Sequence, residues 1–175
     1  MNFDFDKTLE ILEQTPRTLK SMIGGLSPEW TSNNEGGETW TVFDVIGHLV
    51  HGETTDWLRR AEIILSDGGD KKFAQFDRFA QFDARVGKTL AQLLDEFTEL
   101  RAKNLAALRA RNIGEADLKK TGIHPAFGEV NLAQLLSTWA VHDLDHVVQI
   151  SRVMAYQYRD DVGPWIEYLR VLKKV

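Results

Sequence analysis

Apolar side chains recur at three- and four-residue steps along four long stretches of this chain. That spacing places them on one face of an α-helix, and no stretch shows the alternation typical of a β-strand. The pattern predicts four amphipathic helices, over about residues 5–23, 41–65, 89–110 and 132–156. Four such helices joined by loops favour an all-α fold, a four-helix bundle in which each apolar face packs against its neighbours.

Several positions interrupt this helical pattern. Pro16 lies inside the first helix, and since proline is tolerated only in a first turn or at a kink, that helix is predicted to begin or bend there. Residues 27–38 are rich in Gly, Ser and Asn and predict a loop. Phe-Ala-Gln-Phe-Asp occurs at both 73–77 and 79–83, and one recurrence is too little for a repeat architecture. The predicted bundle therefore has a long crossover connection and a short C-terminal helix that opens at Gly163-Pro164-Trp165.

Length, composition and charge narrow the classes of function. A chain of 175 residues fits one domain, 1–175, and buries about 70% of its unfolded surface, so a metal would be functional rather than a folding staple. The absence of cysteine excludes thiolate catalysis and zinc fingers. A net charge of -5 without a basic run argues against a nucleic-acid partner. No apolar run is long enough for a membrane span, and no signal pattern is present, so we expect a cytoplasmic protein.

The most informative polar residues are His142 and His146. On a helix, residues four apart lie on the same face, one turn from each other. Both histidines point toward the apolar seam of the fourth helix, where each unpartnered buried polar group costs about 1–3 kcal/mol. Two imidazoles so placed can bind one divalent metal ion, although two core histidines that hydrogen-bond to neighbours are the structural alternative.

A third ligand must come from far upstream, because no histidine follows His146. His48 is the best candidate, although it lies on the flank of the apolar stripe of its helix, beside space that Gly52 leaves open. His51 lies opposite that stripe, as a solvated histidine would. His124 precedes a proline in a loop, where a ligand, a lid residue and a plain turn residue are all compatible with the sequence.

Three residues are candidates for a general base or for support of the ligands. Asp143 occupies the place of the glutamate in the His-Glu-x-x-His motif of metalloproteases, where that residue is the base. It also suits a partner that fixes a ligand tautomer, or an acceptor of an interhelical hydrogen bond. Glu53 faces inward among apolar residues, and because buried carboxylates are rarely unpaired, an arginine is expected beside it. His51 is the third candidate.

The ordered series of motifs resembles the DinB-like (DinB/YfiT) superfamily of four-helix-bundle metalloenzymes over nearly the whole chain. The matching stretches are Trp-Thr-Val-Phe-Asp-Val-Ile-Gly-His-Leu-Val-His-Gly-Glu at 40–53, Asp-Trp at 56–57, His-Pro-Ala-Phe-Gly at 124–128, Leu-Leu-Ser-Thr-Trp-Ala-Val-His-Asp-Leu-Asp-His-Val-Val-Gln-Ile at 135–150 and Val-Gly-Pro-Trp-Ile-Glu-Tyr-Leu at 162–169. One departure is Val147, where a family variant has a second histidine directly after His146.

The resemblance implies a metal triad of His48 from the second helix with His142 and His146 from the fourth. It also implies a homodimer and an activity such as S-transfer to low-molecular-weight thiols. Three imidazoles leave positions for water or substrate, as in a catalytic site. They suit zinc, nickel, iron or copper; zinc or nickel is preferred here, with iron or manganese as further candidates.

The leading hypothesis is therefore a metal-dependent enzyme, a hydrolase or a thiol S-transferase, that acts on a small molecule. Its bound water or thiol would become nucleophilic because the metal lowers its pKa. The rival hypothesis is a metal-binding or stress-related interaction protein without catalysis. That rival predicts tight packing over the histidines, whereas an enzyme needs an accessible coordination position.

Overall fold

The computed structural model describes residues 3–173, which form eight α-helices and one β-hairpin. The elements are α1 (Phe5–Ile23), α2 (Pro28–Ser32), α3 (Val42–Thr55), α4 (Trp57–Leu65), α5 (Gln81–Ala84), α6 (Leu90–Arg109), α7 (Glu115–Leu118), β1 (Thr121–His124), β2 (Gly128–Asn131) and α8 (Leu132–Tyr156). Two 3-10 turns follow, at Gly163–Tyr168 and Arg170–Leu172. The four-helix bundle is confirmed, and its members are α1, α3 with α4, α6 and α8.

Capping boxes fix where three of the bundle helices begin. Thr41, Thr89 and Asn131 each accept a hydrogen bond from the third backbone N–H of the helix that follows, and the residue at that third position bonds back. Such a capping box satisfies two amide groups that the helix itself leaves unpaired. The long apolar stripes therefore start at defined residues, and this sets the register of the histidines downstream.

Pro16 lies inside α1, so of the two predicted alternatives the one in which the helix begins there is excluded. The helix is continuous from Phe5 to Ile23. Proline lacks the N–H that would bond the carbonyl four residues earlier, which is the carbonyl of Leu12. Nη1 of Arg101, on α6, donates to that carbonyl oxygen at 2.7 Å. A contact with another helix thus replaces the hydrogen bond that proline removes.

Other differences from the predicted elements are local. The second predicted helix is divided at Asp56, whose backbone (φ -118°, ψ -78°) departs from helical geometry, and the predicted loop at 27–38 contains α2. The structure also contains a hairpin that the sequence pattern did not indicate, in which β1 and β2 pair antiparallel with Thr121 opposite Asn131. Each strand has four residues, too few for alternation to stand out. The predicted C-terminal helix is present as two 3-10 turns.

A polar layer crosses the bundle between two apolar clusters. The first cluster contains Leu9, Leu12, Trp57, Leu105 and Trp139, and the second contains Leu19, Val45, Ile46, Phe97 and Ile150. The residues between these clusters on α1, α3, α6 and α8 are mostly polar and buried: Thr15, Glu53, Arg101, Asn104, Asp143 and His146. Buried polar groups in native proteins are hydrogen-bonded, and the contacts within this layer define the candidate site.

Within residues 3–173, no helix combines the length and the apolar character needed to cross a lipid bilayer.

Candidate metal centre

His48 of α3 meets His142 and His146 of α8 at one point in the bundle. Nε2 of His142 lies 3.1 Å from Nε2 of His48 and 3.0 Å from Nε2 of His146. One ligand atom from each of the three residues lies within 4.8 Å of the others. Metal–imidazole bonds of about 2.0–2.1 Å in a tetrahedral arrangement require nitrogen atoms about 3.3 Å apart. The three rings are therefore spaced as ligands of a single ion would be.

The hydrogen-bonding capacity of the three rings also fits a shared cation. Nδ1 of His146 lies 2.7 Å from Oε1 of Gln149, an amide oxygen that can only accept. In the tautomer that donates to this oxygen, the lone pair of the ring lies on Nε2. A neutral imidazole has one N–H, and a single proton on Nε2 of His142 cannot serve both His48 and His146. A cation at the centre accepts a lone pair from all three rings and removes this conflict.

Burial keeps the three imidazoles in the neutral form that metal binding requires. Desolvation, the main cause, and electrostatic interactions with neighbouring basic residues lower the pKa of His48 to about 3 and that of His142 to about 2. Burial also lowers the pKa of His146. His48 and His146 are 7% and 8% exposed, whereas His142 is half-buried.

Aromatic side chains enclose the triad. Trp40 and Phe76 lie 5.0 and 5.5 Å from the His48 ring, and Trp57 lies 5.0 Å from the His142 ring, all between centroids. These contacts hold two rings whose buried Nδ1 atoms have no hydrogen-bond partner among the described residues. The space that Gly52 was predicted to leave for His48 is filled by Trp57, since a Cβ atom on Gly52 would lie 3.2 Å from Nε1 of that indole.

His51 and His124 lie outside the triad. His51 packs on Phe76, with ring centroids 5.1 Å apart, and borders a cleft of about 370 Å³ with Asp56 and Arg59. His124 ends β1, where its Nδ1 accepts hydrogen bonds from the backbone of the hairpin turn. Of these two histidines, only His51 lies close to the site, because Phe76 contacts both it and His48.

Glu53 and Asp143 bind the same guanidinium, that of Arg101, and this is the arginine expected beside Glu53. Oε1 of Glu53 accepts from Nε and Nη2 of Arg101 at 3.0 and 2.8 Å, and Nη1 and Nη2 donate to Asp143 at 2.6 and 3.0 Å. Trp139 and Asn104 also donate to Glu53. Both carboxylates thus have oxygen atoms occupied by hydrogen bonds within the buried polar layer.

Sequence reasoning did not identify Arg101 or the aromatic walls as parts of the site. Arg101 follows Phe97 by four residues and precedes Leu105 by four, so it lies on the apolar stripe of α6. A charged residue on such a stripe signals a buried ion pair. Trp40 and Phe76 gave no comparable signal, because only the fold brings the segments before α3 and after α4 against His48.

The metal-free protein is expected to lose stability as the pH falls below about 6.5, the ordinary pKa of histidine. The folded state holds the pKa of His48 and His142 at about 3 and about 2. Between those values and 6.5 the unfolded chain binds protons that the folded chain does not. The free energy of unfolding should therefore fall by up to about 1.4 kcal/mol per pH unit for each such histidine.

Urea unfolding in a chelator, from about pH 7.5 to about pH 5.5, measures this slope. The slope should be shallower in His142→Ala, which removes one of the contributing groups. Equal slopes in the wild type and the variant would contradict the assignment.

Comparison with known proteins identifies the family. A family model described as the DinB superfamily matches residues 11–150. Two curated relatives carry the name "putative metal-dependent hydrolase". One, from Bacillus mycoides, is 26% identical over 149 residues, 83% of each chain; the other, from Oceanobacillus iheyensis, is 25% identical over 153 residues, 86% of each chain.

The fold is also found in a solved structure. YfiT from Bacillus subtilis, whose description is "a probable metal-dependent hydrolase with an unusual four-helix bundle topology", aligns with a TM-score of 0.71 at 20% identity. The alignment covers 91% of this chain and 87% of that one. The solved structure thus supports the bundle fold. Because the family model matches residues 11–150, from α1 to α8, this chain belongs to the DinB superfamily.

Proposed function

We propose that this protein is a metal-dependent hydrolase whose ion is held by His48, His142 and His146. The observation that carries the proposal is the convergence of three Nε2 atoms from two helices, at 3.0 and 3.1 Å from the central one. The names of the two curated relatives, metal-dependent hydrolases, agree with it. The chain 1–175 is proposed to act as one domain around this site.

Each residue of the site has a distinct part in the proposed chemistry. A bound divalent ion lowers the pKa of a coordinated water or thiol to near neutrality. Gln149 holds the tautomer of His146, so that its Nε2 lone pair faces the ion. Trp40 and Trp57 would exclude bulk water from two sides of the site.

His51 is the proposed proton-transfer group. Glu53 and Asp143 are held by Arg101, whereas the ring of His51 makes no hydrogen bond with another described residue and borders the 370 Å³ cleft. That cleft is a suitable approach for a small substrate. Imidazole is the side chain that most often accepts and returns a proton in general acid–base catalysis.

The finer assignments follow the chemistry of the ligand set. We propose zinc or nickel as the ion, with iron or manganese as alternatives, because imidazole ligation does not choose among them. A low-molecular-weight thiol in place of water would make the same site an S-transferase. A homodimer is proposed as the assembly. The competing function is metal binding without catalysis, and the aromatic walls around His48 are what favours it.

One experiment compares the metal content and turnover of three proteins: the wild type, His146→Ala and the matched control His124→Ala, which removes a histidine outside the triad. Elemental analysis should find about one ion per chain in the wild type and the control and almost none in His146→Ala. Ester, amide and small-thiol substrates should be turned over only by the two metal-containing proteins. Full metal with no turnover would favour the non-catalytic function, and negligible metal in all three would refute the site.

A further inference from the structure

Arg101 makes contacts with all three of the other bundle helices through one planar group. Its guanidinium has five N–H donors in a rigid arrangement. Nε and Nη2 each donate one hydrogen bond to Glu53 on α3. Nη1 and Nη2 each donate one to Asp143 on α8. The second N–H of Nη1 donates to the carbonyl oxygen of Leu12 on α1. All five donors therefore have acceptors, and none of these acceptors is on α6, the helix of Arg101.

The two carboxylates are placed close to the candidate ligands along the chain. Glu53 lies five residues after His48 on α3, and Asp143 directly follows His142 on α8. A guanidinium that binds both carboxylates fixes the separation of α3 and α8 at this level. That separation determines how far His48 lies from the two histidines of α8.

Burial makes this arrangement rigid. Arg101, Glu53 and Asp143 are 1%, 4% and 0% exposed, so water cannot replace a lost hydrogen bond. Burial alone would lower the pKa of Arg101, but the two carboxylates outweigh it and raise that pKa above the ordinary value. Arg101 is therefore charged, and its planar guanidinium lies between two carboxylates.

We infer that Arg101 is a positioning residue for the metal centre: it sets the distance between His48 and the His142–His146 pair without touching the ion. The inference rests on the proposed metal site and adds to it the residue that determines its geometry. A lysine cannot do the same, because an ammonium group has three donors and no planar arrangement to match two carboxylates at once.

The test uses Co²⁺ as the probe, because its visible absorption bands report the geometry and the number of its ligands. Arg101→Lys is compared with Arg152→Lys, a matched control on α8 whose native side chain binds Glu35 in the loop before α3 through two hydrogen bonds at 2.7 and 2.9 Å. Arg101→Lys should shift the Co²⁺ bands and weaken Co²⁺ binding by about 10–100-fold, as expected for residues that orient metal ligands. Arg152→Lys should keep the wild-type bands and affinity.

A second variant keeps the inference testable if Arg101→Lys does not fold, as judged by circular dichroism. Glu53→Gln leaves Arg101 and Asp143 as a charge-balanced pair and keeps the contact of Arg101 with α8. It weakens the hydrogen bonds that Glu53 accepts from Arg101, Trp139 and Asn104, so it should fold and shift the bands in the same direction. Wild-type bands and affinity in a folded Arg101→Lys, or in Glu53→Gln, would overturn the inference. Failure of the wild type to bind Co²⁺ would instead refute the proposed metal site, so the two failures are distinguishable.

Discussion

Replacing Arg101 with methionine is expected to lower the free energy of unfolding by about 3–5 kcal/mol, the cost of removing one member of a buried ion pair. The substitution keeps much of the side-chain volume but leaves Glu53 and Asp143 buried without a counter-charge. It also leaves the carbonyl of Leu12 without a donor, since Pro16 cannot supply one. Urea unfolding followed by circular dichroism measures the change in the free energy of unfolding. An unchanged m-value, the slope of that free energy against urea concentration, shows that the variant exposes the same surface on unfolding as the wild type.

Lys20→Met is the matched control for that measurement. Lys20 pairs with Asp95 at 2.7 Å, but both side chains are more than half exposed, at 60% and 58%. Exposed ion pairs contribute about 0–1 kcal/mol, so this variant should unfold almost like the wild type. Similar losses in the two variants, or a loss below about 1 kcal/mol in Arg101→Met, would show that the buried network is not what stabilises the polar layer.

Replacing His142 with alanine is expected to raise the dissociation constant for zinc or nickel by more than about 100-fold. Residues that only orient ligands change metal affinity by about 10–100-fold, and a ligand itself should exceed that range. His142 is also the central member of the triad, because its Nε2 lies 3.1 Å from that of His48 and 3.0 Å from that of His146. Its loss leaves two imidazoles on different helices with no nitrogen atom between them.

Competition with a chromophoric chelator measures this affinity. His51→Ala is a demanding control, because His51 lies close to the triad on the same helix as His48 yet packs on Phe76 rather than on the ligands. It should bind the metal with nearly the wild-type affinity while losing turnover, if His51 transfers the proton. Equal losses of affinity in His142→Ala and His51→Ala would mean that the metal lies elsewhere.

The bundle and the triad were both accessible from the sequence, for physical reasons that can be named. The helical spacing of apolar residues is strong in long segments, and His142 and His146 lie four residues apart on one such helix. The hairpin at β1 and β2 was not accessible, because strands of four residues show little periodicity. The path of α1 through Pro16 was hidden for another reason: the compensating donor, Arg101, comes from a distant helix.

The roles of Glu53 and Asp143 could be only half predicted. Their inward positions followed from the helical angle, and a buried carboxylate implies a partner. Which residue pairs with them depends on how α6 packs against α3 and α8, and periodicity does not contain that information. The same limit applies to the walls of the site, since Phe76 comes from a connection with no regular structure.

The central claim, that three imidazoles bind one cation, is tested most directly by crystals of the protein grown with zinc or nickel and measured at the absorption edge of that metal. The account predicts one anomalous peak within about 2.0–2.2 Å of the Nε2 atoms of His48, His142 and His146, with a further position open to water. The same data would contradict it if the peak lay on other residues, or if the three rings hydrogen-bonded to one another with no metal between them.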